Sequence, residues 1–330
     1  MLLVLLVEAG AAAYAAPLLA RWSSVDPGFD WRVAATPVAA TRLPAGLAPE
    51  RLVTRDIDRE SAEQGSGLLA DLKPAMLLSS AGGWAAERAA VAAAQAVSVP
   101  TVQFVDTWTN YLYRFTSAGR DTPQYPDRIV VIDETAVSEA VAEGLPATRI
   151  VSCGHPVWEG IDLLPPTGSR DTVFIGGPVR RDYGTTLGYT EDDCWDMVLS
   201  VRAARPDLIG DLYYAPHPEQ ATLRNVDDGM IVTYSADMLK TEIGQVLGIF
   251  SAPLTDAYLA GRRSISVQPG AVGADKWPLS RFGFAPRATT VDDLIAALEA
   301  QPDRGGPLRR SLKDSCRRLS DFVMECYPNA

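Results

Sequence analysis

The chain is 330 residues long, room for two domains that each bury a core of their own. Hydrophobic residues make up 47% of it and charged residues 22%, the balance of a soluble globular protein. A formal net charge of −11 argues against nucleic acid as a partner, because phosphate binding needs a basic face.

The opening stretch, MLLVLLVEAGAAAYAAPLLARW, carries no basic residue ahead of its apolar run, and Glu8 ends that run after seven residues. A signal peptide would want the basic flank, and so short a run cannot cross a membrane. The stretch reads instead as a buried strand, Leu2 to Val7, a small-residue turn at Glu8-Ala9-Gly10, and a helix. Short apolar runs then alternate with helical periodicity, the pattern of βα units on a mostly parallel sheet. Strands are predicted at 2–7, 31–36, 75–79, 100–105, 128–132 and 149–153, with helices at 11–21, 58–72, 84–97 and 134–143. Residues 155–171, HPVWEGIDLLPPTGSRD, hold three prolines and two glycines without either periodicity and read as a linker. The alternation then restarts, with strands at 172–176, 211–215, 229–233, 245–249, 263–268 and 284–287. Helices fall at 190–204, 252–260, 291–300 and 308–325.

The expected fold is therefore two doubly wound, Rossmann-like α/β domains, residues 1–160 and 161–330, facing each other across an interdomain cleft. Cys153, Cys194, Cys316 and Cys326 show no metal-binding spacing, and His155 and His217 are the only histidines, so no metal site is expected. Scattered free thiols point to the cytoplasm.

Ligands of such sheets lie beyond the carboxyl ends of the strands, so residues just after strands are the candidates. Glu8 with Gly10, and SSAGGW at 79–84, hold such positions. In VPTVQFVDTWTNYLYRF, residues 99–115, a strand is followed by Asp106, Trp108, Asn110, Tyr111 and Arg114. A carboxylate, an amide, aromatics and a guanidinium suit a sugar, whose apolar faces stack on rings. A surface loop packed on its own domain is the other reading. In FIGGPVRRDYGTTLGYTEDD, residues 174–193, Gly176 and Gly177 free the backbone to approach a ligand and Thr190 is placed to cap a helix. Its spacing matches neither a dinucleotide fingerprint nor a P-loop, so an ordinary turn stays open.

Two prolines in YYAPHPEQ, residues 213–220, hold His217 at a strand end, for a phosphate or base contact or a structural part. Ser251, in FSAPLTDAYLAGRRSISVQPG, stands at a helix N-cap, where a hydroxyl and free N–H groups suit a diphosphate. Asp256 follows one turn later for a ribose diol, and Gln268 ends the next strand. Simple capping by Ser251 is the alternative.

Together these features resemble the GT-B fold of sugar-nucleotide glycosyltransferases and the related UDP-N-acetylglucosamine 2-epimerases, nearest to capsule and polysialic acid biosynthesis proteins. PDRIVVIDETAVSEAVAEGLPATRIVSCGHP, residues 126–156, resembles the strand, helix and strand that close their first domain. APHPEQ resembles an xxHP element, and VDTWTNYLYRF is similar to a DxWxNYxxRF element. IFSAPLTDAYLAGRRSISVQPG resembles an STxxxEAxxxGxPVIS segment, with Ser251 and Asp256 at its Ser and Glu. The resemblance implies a nucleotide diphosphate on the second domain, at Gly177, His217, Ser251, Asp256 and Gln268. It implies an acceptor on the first, at Gly10, Trp108, Asn110 and Arg114, with Asp106 or Glu8 as general base. It also implies a final helix that crosses back to the first domain, and chemistry without metal or resident cofactor, the nucleotide sugar being the substrate. A homodimer is a further expectation.

Three functions follow. The first is a glycosyltransferase carrying a sugar from a nucleotide diphosphate to a hydroxyl or amine. A hydrolysing 2-epimerase, in which carboxylates move a proton at C2 before the diphosphate leaves, is the second. A catalytically inactive GT-B-like binding protein is the third. The Gly-Gly pair that follows the phosphate-binding serine of the epimerases is absent after Ser251, which puts transfer first.

Overall fold

The structure, a computed structural model, describes every residue except 55, 118–121, 178, 180–185, 218–229, 235, 241, 242, 329 and 330. The chain divides into two compact units, Met1–Gly160 with Ser311–Ala330, and Ile161–Arg310.

The first unit is built on strands β1 (Leu2–Leu6), β2 (Trp31–Ala35), β3 (Leu52–Thr54), β4 (Met76–Ser80), β5 (Thr101–Phe104), β6 (Arg128–Val131) and β7 (Ile150–Ser152). They lie in the order β3-β2-β1-β4-β5-β6-β7, every neighbouring pair parallel. Its helices are α1 (Ala9–Ser24), α2 (Pro37–Ala40), α3 (Ala62–Leu72), α4 (Ala85–Ala96), α5 (Glu134–Ala142) and α6 (Pro156–Glu159). β1 is apolar throughout because both faces of a parallel sheet are covered. Leu2, Val4 and Leu6 join the core of α1, with Tyr14, Leu18 and Trp22, whereas Leu3, Leu5 and Val7 join that of α4, with Ala86, Ala90 and Ala94. The alanine face of α4 permits close packing: a Cβ on Gly65 of α3 would fall 2.1 Å from the Ala86 carbonyl oxygen.

The second unit holds β8 (Thr172–Ile175), β9 (Leu212–Ala215), β10 (Met230–Ile231), β11 (Gln245–Gly248), β12 (Arg263–Val267) and β13 (Arg287–Ala288). Their order is β10-β9-β8-β11-β12-β13, again parallel. Further α-helices among the described residues are α7 (Glu191–Ala204), α8 (Ala252–Leu259), α9 (Pro278–Arg281), α10 (Val291–Glu299), α11 (Gly306–Ser311) and α12 (Ser315–Cys326).

Four expectations change. β3 was not foreseen, because three half-buried residues on a sheet edge carry no readable alternation. The strand expected at 284–287 contributes only Arg287 to β13, since Phe284 and Ala285 donate to the Leu279 carbonyl and Pro286 has no N–H. The single helix expected at 308–325 is α11 and α12, broken at Asp314 by a left-handed φ of +60°. Residues 155–160 are not linker: His155 caps α6 within the first unit. α12 also packs there, Trp22 Nε1 donating to Ser320 Oγ at 2.9 Å and the Cys316 N–H to Glu159 at 2.9 Å.

In each sheet the chain winds outward one way and then resumes on the other side of its first strand. The order therefore reverses between β1 and β4, and between β8 and β11. Such reversals open a crevice at the carboxyl edge of the sheet. Among the described residues no helix is long and apolar enough to cross a membrane.

Candidate functional site

At the reversal of the first sheet, Glu8 follows β1 as the N-cap of α1, but its side chain makes no capping bond. Gly10 is exposed in the first turn, and a Cβ there would lie 3.4 Å from Oδ2 of Asp106. Asp106 follows β5, the strand beside β4, so the sheet brings Glu8, Gly10 and Asp106 to one edge. Its carboxylate is 20% exposed and lies 3.5 Å from the Arg114 guanidinium. That guanidinium also donates to the carbonyls of Ala81 (3.0 Å) and Thr109 (3.3 Å) and to the Thr107 hydroxyl (3.2 Å). Arg114, expected to bind an acceptor, thus chiefly ties its own loop together. Asn110 is exposed with a left-handed φ of +58°, a conformation its short amide tolerates.

Trp108 departs from expectation. It is 1% exposed, stacks on Trp158 at 4.9 Å and donates its indole N–H to Asp133 at 3.1 Å. Face and N–H are both engaged, so the ring buttresses the loop and offers no platform to a sugar. Beneath it His155 stacks on Trp158 at 3.7 Å and meets the edge of Tyr14 at 4.9 Å. Its Nδ1 accepts the Trp158 N–H at 3.3 Å. Burial pushes the imidazole down to about 3, against the pull of main-chain hydrogen bonds that include one at Asp106. His155 is therefore a neutral strut beneath the Asp106 backbone.

The residue that sequence reasoning missed is Glu87. It is fully buried on α4, and its carboxyl accepts the N–H groups of Gly82 (2.8 Å) and Trp84 (3.4 Å) and contacts the Ser80 hydroxyl. Desolvation raises it to about 8, the nearby Glu8 charge adds to the rise, and the hydrogen bonds oppose it. The available signal was an acid in the first turn of an alanine helix, just after a Gly-Gly turn.

In the second unit the carboxyl edge carries His217 after β9, Gly176 and Gly177 after β8, Ser251 after β11 and Gln268 after β12. Ser251 is the N-cap of α8 but makes no capping bond, and among the described residues its buried Oγ has no partner. Asp256, half-buried on α8, lies near Tyr234, whose hydroxyl is raised by burial first and by the Asp256 charge second. His217 is half-buried.

Two expectations here are corrected. The Gly177 N–H is not open to a phosphate, because it donates to Glu191 Oε2 at 3.2 Å. Glu191 is buried in the first turn of α7, where the helix dipole favours a carboxylate, and also accepts the Tyr214 hydroxyl. Gln268 lies inside the unit, 1% exposed, its Nε2 donating to Ser266 (2.7 Å) and Asp275 (2.9 Å). Residues 218–220 of YYAPHPEQ, and 178 and 180–185 of the glycine loop, lie outside the described residues.

No family model and no curated protein matches the sequence. Solved structures match along the whole chain. UDP-GlcNAc 2-epimerase from Neisseria meningitidis, bound to UDP-GlcNAc, is similar with a TM-score of 0.66 at 11% identity, over 98% of this chain and 99% of that one. UDP-GlcNAc 2-epimerase from Methanocaldococcus jannaschii gives 0.67 at 11% identity, over 98% and 99%. The lipopolysaccharide outer core galactosyltransferase WaaB, in its apo form, gives 0.61 at 12% identity, over 98% and 99%. The chain therefore has the two-domain α/β fold that these epimerases share with a GT-B glycosyltransferase.

Proposed function

We propose that this protein is a nucleotide-sugar enzyme that breaks the bond between an anomeric carbon and a nucleoside diphosphate, with UDP the first candidate. The observation that carries the reading is Ser251, whose buried hydroxyl stands unpartnered among the described residues at the head of the eight-residue helix α8, beside the strand-order reversal. That hydroxyl and the free N–H groups of the first turn suit a diphosphate and would stabilise the charge it gains on leaving. His217 and Asp256 are assigned to the nucleoside. In the first unit Asp106, held by Arg114, is assigned the proton transfer.

Two reactions fit. In glycosyl transfer Asp106 takes the proton of an attacking hydroxyl or amine. In hydrolysing 2-epimerisation Asp106 or Glu8 moves the proton at C2 before the diphosphate departs. The missing Gly-Gly pair after Ser251 favours the first, and the many epimerases among similar structures, some bound to UDP-GlcNAc, favour the second. Incubation with UDP-GlcNAc in heavy water separates them. UDP release without acceptor, with deuterium at C2, identifies the epimerase; release only with an acceptor identifies the transferase. A thermal-shift screen in which no nucleoside diphosphate stabilises the protein overturns both.

A further inference from the structure

We infer that Gln268 is a positioning residue for the turn between β11 and α8: a buried chain of hydrogen bonds centred on its amide grips that turn on both sides of Ser251. The diphosphate part of this inference rests on the reading of Ser251 above; the grip itself does not.

The chain begins ahead of the turn, at the Ile249 carbonyl, which accepts the Ser266 hydroxyl. With its proton committed there, Ser266 Oγ accepts from Gln268 Nε2 at 2.7 Å. The same amide nitrogen donates to Asp275 Oδ1 at 2.9 Å, which also accepts the Trp277 N–H at 3.0 Å. Trp277 then donates its indole N–H to Thr255 Oγ1 at 3.2 Å, inside α8. Ser266, Gln268, Trp277 and Thr255 are all buried, where each bond is stronger and each unmade one more costly than in water.

The amide fits only one way round. Turned over, its oxygen would face the Asp275 carboxylate and a hydroxyl whose proton is already spent. Its Oε1 has no partner among the described residues, so what Gln268 supplies here is its two N–H donors.

The turn needs this grip because it lacks a capping bond of its own, and the sequence shows why. A capping serine bonds the N–H of the second or third helical residue. The second in α8 is Pro253, which has none, and the Leu254 N–H goes to the Ser251 carbonyl at 3.1 Å. The Ser251 hydroxyl is thus left out of the helix, and the turn is braced from outside, through Ile249 and Thr255.

Gln268→Met keeps the bulk of the side chain and removes both donors. Gln245→Met is its control: that glutamine is equally buried, and its Nε2 also makes two bonds, to the carbonyls of Leu208 (2.9 Å) and Arg170 (3.3 Å), but at the start of β11. Both variants lose a doubly bonded amide, so both should melt at a lower temperature. Amide hydrogen exchange, read without any ligand, should speed up across residues 250–255 in Gln268→Met alone. Wild-type exchange of that segment in Gln268→Met, or an equal rise in both variants, overturns the inference even if no nucleotide ever binds. At a temperature where every variant is folded, calorimetry should find UDP bound about tenfold more weakly by Gln268→Met, and as in wild type by Gln245→Met. In a Ser251→Ala background Gln268→Met should weaken UDP little further, because both act through one turn. Unaltered UDP affinity in Gln268→Met, or fully additive losses in the double variant, would overturn its link to the diphosphate. Should Gln268→Met fail to fold, Thr255→Val breaks only the last link, to Trp277, and the same two measurements decide.

Discussion

Ser251 shows how one unmade bond separates stability from binding. A capping serine usually contributes about 1 kcal/mol to its helix. Ser251 makes no such bond, so Ser251→Ala should leave the melting temperature almost unchanged. Loss of one hydrogen bond to a charged diphosphate should instead weaken UDP by about 10- to 100-fold. Calorimetry and thermal melts on the same variant check both, and unaltered UDP affinity would remove Ser251 from the site. Glu191 is the contrasting case: its carboxylate already accepts the Gly177 N–H after β8, and the proposed diphosphate is assigned to the head of α8 instead.

At the scale of elements, α12 is held by a contact that only glycine allows. Gly154 has a φ of +94°, and a Cβ there would lie 1.9 Å from Ser315 Oγ. The same hydroxyl accepts the His155 N–H at 3.0 Å. Gly154→Ala should therefore cost a few kcal/mol and lower the melting temperature by several degrees. Gly168→Ala, with nothing within 4 Å of its Cβ and no positive φ, should change little and serves as control. Equal melting of the two variants would show that the α12 contact does not matter. Most elements were readable because their residues repeat a simple pattern, as LLVLL in β1 or the alanines of α4 do. The break at Asp314 was not, because 308–325 keeps helical periodicity on both sides of it.

For the whole molecule, two buried groups set opposing pH limits. His155 is pushed from 6.5 to about 3, so below pH 6.5 the unfolded chain takes up a proton that the folded chain refuses. Its contribution to stability is lost as pH falls from 6.5 toward 3. Glu87 is raised from 4.5 to about 8, so the folded chain keeps a proton that the unfolded chain releases. Its contribution is lost as pH rises from 4.5 toward 8. The two slopes cancel between 4.5 and 6.5 and leave a plateau, with a fall of up to about 1.4 kcal/mol per pH unit from each group outside it. Urea unfolding across this range checks the shape: His155→Asn should flatten the acid side and Glu87→Gln the alkaline side. An unaltered profile in both variants would rule these groups out.

The sequence by itself determined the alternation of elements, the parallel sheets and the strand-end positions of Glu8, Asp106, His217 and Ser251, because those follow from local periodicity and from where each apolar run stops. Strand order is not local. Only the folded chain set β5 two places from β1, and so brought Asp106 up to Gly10 across a separation of 96 residues (106 − 10). Burial is not local either. Trp108 looked like a sugar platform until Trp158 and Asp133, distant in sequence, covered it. Glu87 passed for an ordinary helix acid until the sheet closed over it and took its water away, and it is this desolvation, which no single segment encodes, that gives the residue its chemistry.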